Sequence, residues 1–145
     1  MGEGSQSESM VIVVMEPDVF LRFAIVESLR REGHTLIHAA GLEHTKVILQ
    51  QSSVPINLVL MSLDLATPSE IEACREIAAL SPATKIMVMS DHLSAQKRAK
   101  AEKWGVIPKP FRATTLRQKV RAALIFGKRK RSAPHGGLWE RRQRA

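Results

Sequence analysis

The chain has 145 residues, enough for one domain with a sizeable core, and its net charge of +8 is carried unevenly. From Lys128 onward it holds Lys128, Arg129, Lys130, Arg131, Arg141, Arg142 and Arg144 against Glu140 alone, so +6 of the charge sits there and +2 on everything before it. The single cysteine, Cys74, excludes an intramolecular disulfide and a CxxC metal site and suits a reducing cytosol, and no apolar run approaches the roughly 20 residues that span a bilayer.

Residues 1–9 are acidic and rich in serine and glycine, a disordered leader rather than a secretory signal. Met10-Val11-Ile12-Val13-Val14-Met15 is a β-branched apolar run and reads as a buried strand. Glu16-Pro17-Asp18 follows, with Asp18 placed to cap a helix whose inner face carries Leu21, Ala24, Ile25, Ser28 and Leu29 and which ends at Gly33. Thr35 to Ala40 is a short strand. Leu42 to Gln51 is a helix using Leu42, Thr45 and Leu49, closed by Ser52-Ser53-Val54-Pro55.

Ile56 to Leu65 is a continuous apolar block between Pro55 and Ala66-Thr67-Pro68, the pattern of a central strand buried on both faces. Ser62 and Asp64 lie at its carboxyl end, where ligands of open α/β sheets bind. Pro68 to Ala79 is a helix with Ile71, Cys74, Ile77 and Ala78 inward, and Ser81-Pro82-Ala83 breaks it. Lys85 to Ser90 is a fourth strand, Ser94 to Lys103 a short basic helix, and Val106-Ile107-Pro108 a fifth strand. After the turn Lys109-Pro110-Phe111, Thr114 or Thr115 caps a last helix with Leu116, Val120, Ala123 and Leu124 on one side. Strands alternating with helices at this spacing imply βα units and a parallel sheet covered by helices on both faces.

In this order the landmarks resemble the receiver domain of two-component response regulators. The first strand with its acidic turn (Val11 to Asp18), the helix closed by Gly33, the run Asn57 to Leu65, Ser90 ending the fourth strand, and Lys109-Pro110-Phe111 carry the resemblance over about residues 10–125. It implies a doubly wound five-stranded parallel sheet of order 2-1-3-4-5 and a stand-alone receiver-like domain over 10–126, between the leader and a basic, disordered tail at 127–145. Such domains take a phosphoryl group onto an aspartate, because the transfer needs a carboxylate nucleophile, a hard cation on oxygen ligands, and a lysine and a hydroxyl to hold the phosphoryl oxygens.

Carried over position by position, the resemblance implies a degenerate pocket of Glu16, Pro17, Ser62, Asp64, Ser90 and Lys109. The acceptor position falls on Ser62, and the second metal-binding acid falls on Pro17, which has no ligand side chain. Ala66, Glu70 and Val106 replace the usual proline, glycine and aromatic switch residue. Ser90, Lys109 and Pro110 are kept. The expected product is an atypical, non-enzymatic receiver without the acceptor, acting as a phosphorylation-independent interaction module in the cytoplasm.

Three alternatives remain open at this stage. Asp64 or Ser62 accepts a phosphoryl group with weak Mg²⁺ binding through Glu16 and Asp64, Asp18 being a third candidate if it is not simply the helix cap. Or Lys109 is structural, its charge met by Glu16 or Asp64. Or the tail, with Lys128-Arg129-Lys130-Arg131, binds nucleic acid nonspecifically, or an anionic membrane surface, by charge alone. Cys74 reads as a small core residue, and His34, His38, His44, His92 and His135 show no ligand spacing.

In receivers the fourth helix, fifth strand and fifth helix form the docking face. Here that maps to Lys97, Arg98, Lys100, Trp104, Val106, Arg117 and Arg121, either a solvated charged face or a surface for a histidine kinase, another regulator, an adaptor or a second copy. Trp104 is either an exposed anchor of that surface or a buried residue.

Overall fold

The structure, a computed structural model, describes residues 9–132. Five strands alternate with five helices: β1 (Val11–Met15), α1 (Val19–Arg31), β2 (Thr35–His38), α2 (Leu42–Gln51), β3 (Leu58–Ser62), α3 (Pro68–Leu80), β4 (Lys85–Ser90), α4 (Leu93–Ala101), β5 (Gly105–Pro108) and α5 (Ala113–Ser132). All neighbouring strands are parallel and lie in the order β2-β1-β3-β4-β5. The central position of β3 follows from its composition, since only a strand covered on both faces gains from four consecutive buried apolar residues.

Alternate side chains of the strands feed two cores. Val13, Met15, Val59, Met61, Ile86 and Val88 pack against Cys74 and Ile77 of α3 and Ala95 and Ala99 of α4. Ile12, Val14, Leu58, Leu60, Met87, Met89 and Ile107 pack against Ile25 and Leu29 of α1 and Leu116, Val120 and Leu124 of α5. Thus α1 and α5 cover one face and α2, α3 and α4 the other. Ala24, expected inward, is exposed, while Ile25, Ser28 and Leu29 are buried as the period requires.

The helix ends follow local chemistry. The Asp18 side chain accepts the Leu21 N–H, and Thr67 does the same for Glu70 ahead of Pro68. Gly33 takes the left-handed conformation that closes α1 (φ 95°), its N–H bonding the Arg30 carbonyl and the His34 N–H that of Leu29. Lys103 closes α4 in the same way (φ 68°) although it is not glycine.

Several boundaries differ from expectation. α4 begins at Leu93, with His92 at the cap position rather than Ser94 at the start, and α5 begins at Ala113, leaving Thr114 and Thr115 inside its first turn. α5 also continues to Ser132, past the expected edge at Phe126. Lysine and arginine are good helix formers and are favoured near a helix carboxyl terminus, which outweighs the single Gly127. The leader up to residue 8 and the tail from residue 133 lie outside the described residues. Among those described, no helix is long and apolar enough to cross a membrane.

Candidate functional site

The carboxyl ends of β1, β3 and β4 lie side by side at the edge where open parallel sheets have their crevice, and Lys109 from the loop after β5 reaches Glu16 there. The chain leaves β1 at Met15 and places Glu16 at the floor, 2% exposed. A carboxylate there must be fully hydrogen-bonded or become neutral. Its Oε1 accepts from the Ser62 hydroxyl and from Lys109 Nζ at 2.9 Å, and its Oε2 accepts the Asp18 N–H at 2.9 Å. Arg22 Nη1 donates to its carbonyl oxygen at 3.0 Å.

Burial pushes the Glu16 carboxyl up, but the hydrogen bonds from Ser62, Lys109 and the Asp18 N–H together with the lysine charge outweigh it. The group is held below its ordinary 4.5. It is an ionised carboxylate with both oxygens in use.

Of the six sequence-predicted pocket residues, Glu16, Ser62 and Lys109 are therefore brought into contact. Pro17 is exposed at the turn and donates nothing. Ser90 is buried, but its Oγ accepts the His92 N–H at 3.0 Å at the start of α4. Asp64 is not in the cluster. β3 ends at Ser62, and Leu65 adopts a left-handed conformation (φ 53°) that turns the chain away. The Asp64 side chain is 62% exposed and lies 3.3 Å from His92 Nε2.

These positions test a magnesium ion as the family's ligand. A hard dication needs several oxygen donors directed at one point, near-octahedral for Mg²⁺. Glu16 is already bonded to an ammonium and two further donors, Ser62 is neutral, Pro17 has no oxygen ligand, and the exposed Asp64 carboxylate lies beside His92. The donor set does not fit, and the Lys109 ammonium holds the place beside Glu16 that a cation would take.

On the expected docking face, α4 and α5 flank the edge strand β5. Lys97, Arg98 and Lys100 are exposed on α4. Arg117 and Arg121 lie on the opposite side of the sheet, where Arg117 Nη1 donates to Ser28 Oγ at 3.1 Å and Arg121 pairs with Glu32, both on α1. Trp104 is half-buried against the core beneath α3 and α4, and Val106 is half-buried beside it.

What sequence reading passed over is on α1. Val19, Phe20 and Phe23 are 58%, 88% and 67% exposed, an apolar strip beside the crevice. The signal was present, since two phenylalanines three apart fall outside the stripe of Ile25 and Leu29. Phe23 also lines a groove of about 590 Å³ between α1 and α5 with Glu27, Arg31, Ala113 and Arg117.

Comparison with known proteins is consistent with this geometry. The sequence matches the family described as response regulator receiver domain over residues 12–121. A CheY-like receiver domain protein from Methanospirillum hungatei superposes with a TM-score of 0.73 at 17% identity, covering 85% of this chain and 99% of that one. A response regulator from Thermotoga maritima gives 0.70 at 20%, covering 81% and 98%. NtrX from Brucella abortus, solved with ADP, gives 0.72 at 23%, covering 86% of this chain but 28% of that one, so this chain spans a little over a quarter of that protein. No curated protein matches the sequence.

Proposed function

Because the chain belongs to the response regulator receiver domain family of two-component signalling, we propose that it is a pseudo-receiver: a receiver scaffold that binds a protein partner without being phosphorylated. The observation that carries this is that Ser62 and Lys109 both bond to the buried Glu16 carboxylate. Phosphoryl transfer would need a free carboxylate, a metal site and an unengaged lysine at that spot. Each is either replaced or already bonded to another of these residues.

Ser62 is a poor substitute nucleophile. Its hydroxyl donates to Glu16, but a carboxylate held below its ordinary pKa is a weak general base, and the adjacent ammonium is a donor rather than a base. Asp64 is a carboxylate, but Lys109, the residue that would hold the phosphoryl oxygens, is turned to Glu16.

The apolar strip of Val19, Phe20 and Phe23 supplies contact area for a partner of the receiver's own pathway, such as a kinase or another regulator. Lys97, Arg98 and Lys100 form a separate cationic patch that favours an acidic partner.

The test is intact mass after incubation with Mg²⁺ and a small phosphodonor. The expected spectrum has no added phosphate; a stoichiometric adduct mapped to Asp64 or Ser62 would overturn the reading.

A second reading is favoured by the continuation of α5 to Ser132, which carries Lys128 to Arg131 on a helix. That basic segment would bind nucleic acid through phosphates alone, with a steep salt dependence. A chain truncated at Phe126 should then lose the binding, and equal affinity with and without the segment rules the reading out.

A further inference from the structure

The two loops at the mouth of the crevice carry a second group of donors, separate from Glu16. Asp64 follows β3, and Asp91 and His92 link β4 to α4. His92 Nε2 lies 3.3 Å from Asp64 Oδ1 and 3.6 Å from Asp91 Oδ1, and one donor atom from each residue falls within 4.8 Å of the others. Donors about 2.0–2.1 Å from a tetrahedral ion are separated by roughly 3.3–3.4 Å, and the two His92–aspartate separations are close to that.

Charge points the same way. Among the described residues, neither Asp64 nor Asp91 is paired with a lysine or arginine, in a chain with 22 such side chains and a net charge of +8. His92 stands at the cap position of α4, yet its ring makes no capping bond. Its main-chain N–H holds the loop to Ser90 Oγ, leaving the ring nitrogen directed at the carboxylates.

We propose that Asp64, Asp91 and His92 form a surface site for a transition-metal dication of zinc's class, which clamps the loop after β3 to the loop before α4. One imidazole and two carboxylates suit zinc better than magnesium, which takes an all-oxygen shell. Water completes the coordination, since all three side chains are more than half exposed. The site does not depend on the pseudo-receiver reading, because none of its residues touches Glu16 or Lys109.

Competition between the chelator-stripped full-length protein and a fluorescent zinc indicator measures stoichiometry and affinity. One Zn²⁺ per chain is expected, with His92→Ala and Asp64→Asn each weakening it roughly tenfold or more. His44→Ala, which removes another exposed imidazole, is expected to leave it unchanged. Absence of one-to-one binding overturns the site. So does an effect below fivefold for either ligand variant, or a loss in His44→Ala equal to that in His92→Ala. The three positions are exposed, so folding of the variants is checked by circular dichroism and is expected to be intact.

Discussion

Glu16 and Lys109 stand 93 residues apart in the chain and 2.9 Å apart in the fold, joining the turn after β1 to the turn after β5 across the crevice. The pair is unequal. The Glu16 side chain is 2% exposed, while that of Lys109 keeps 24% of its surface in water.

That inequality predicts unequal costs. Glu16→Ala strands a partly buried ammonium and empties a buried position, and should lower stability by about 3 kcal/mol. Lys109→Ala leaves Glu16 with the Ser62 hydroxyl and the Asp18 N–H, and should cost about 1–2 kcal/mol. Urea denaturation at pH 7 gives both values. Equal costs would mean the carboxylate is not the better-buried partner.

The pH dependence has a definite sign. Folding lowers the Glu16 pKa below 4.5, so the unfolded chain binds the proton first. The stability it contributes is present above about pH 4.5 and is lost as pH falls through the lower folded-state value. Glu16→Gln cannot titrate, so its deficit relative to the natural chain should shrink between pH 5 and pH 3 in denaturation curves. A deficit independent of pH would contradict the assignment.

Ser62→Asp places a second carboxylate against Glu16, with Lys109 to serve both. The variant should lose about 1–3 kcal/mol at pH 7 through like-charge repulsion, and less at low pH where one group protonates. It should also remain unlabelled by a small phosphodonor with Mg²⁺, because Pro17 still supplies no ligand. Labelling at an ordinary receiver's rate would show that the metal site survives.

Phe20 and Phe23 make little use of the core. Phe20→Ser and Phe23→Ser should each change stability by no more than about 0.5 kcal/mol, as surface substitutions do, while weakening partner binding. A large loss of stability would place these rings inside the fold.

Cys74 tests the packing of α3 directly. Burial pushes its thiol up to about 12, with Glu70 and Glu102 adding to the effect. Iodoacetamide at pH 8 should therefore label the native chain far more slowly than the chain in urea. Comparable rates would indicate that α3 opens readily.

Much of this was legible from residue order. The strands stood out because β-branched runs buried on both faces have few alternatives, and Asp18 and Gly33 marked the ends of α1 by their own chemistry. Glu16, Ser62 and Lys109 each sit at the end of a strand, so the topology that the family resemblance implied also gave their meeting. What could not be read depended on side-chain direction. Arg117 and Arg121 fall in a run of basic residues, yet the period of α5 turns them toward Ser28 and Glu32 on α1. Asp64 shares the strand period of Ser62, but the period ceases to apply once Leu65 turns the backbone. The exposure of Phe20 and Phe23 was deducible from the α1 stripe, since neither falls on the face of Ile25 and Leu29.

Every helix begins just after a strand ends, so all five amino termini gather at the crevice and all five carboxyl termini at the opposite pole. Acids collect at the first pole: Glu16, Asp18, Glu43, Glu70, Asp64 and Asp91. Arg30, Arg31, Arg98 and Lys100 lie in last turns at the second. Glu32 and Glu102 at the C-caps of α1 and α4, and Lys109 at the crevice, run against this sorting, so the helix dipoles account for only part of it. Arg30, Arg31, Arg98 and Lys100 are exposed at the second pole and are the cations placed to meet a polyanion there, away from the crevice.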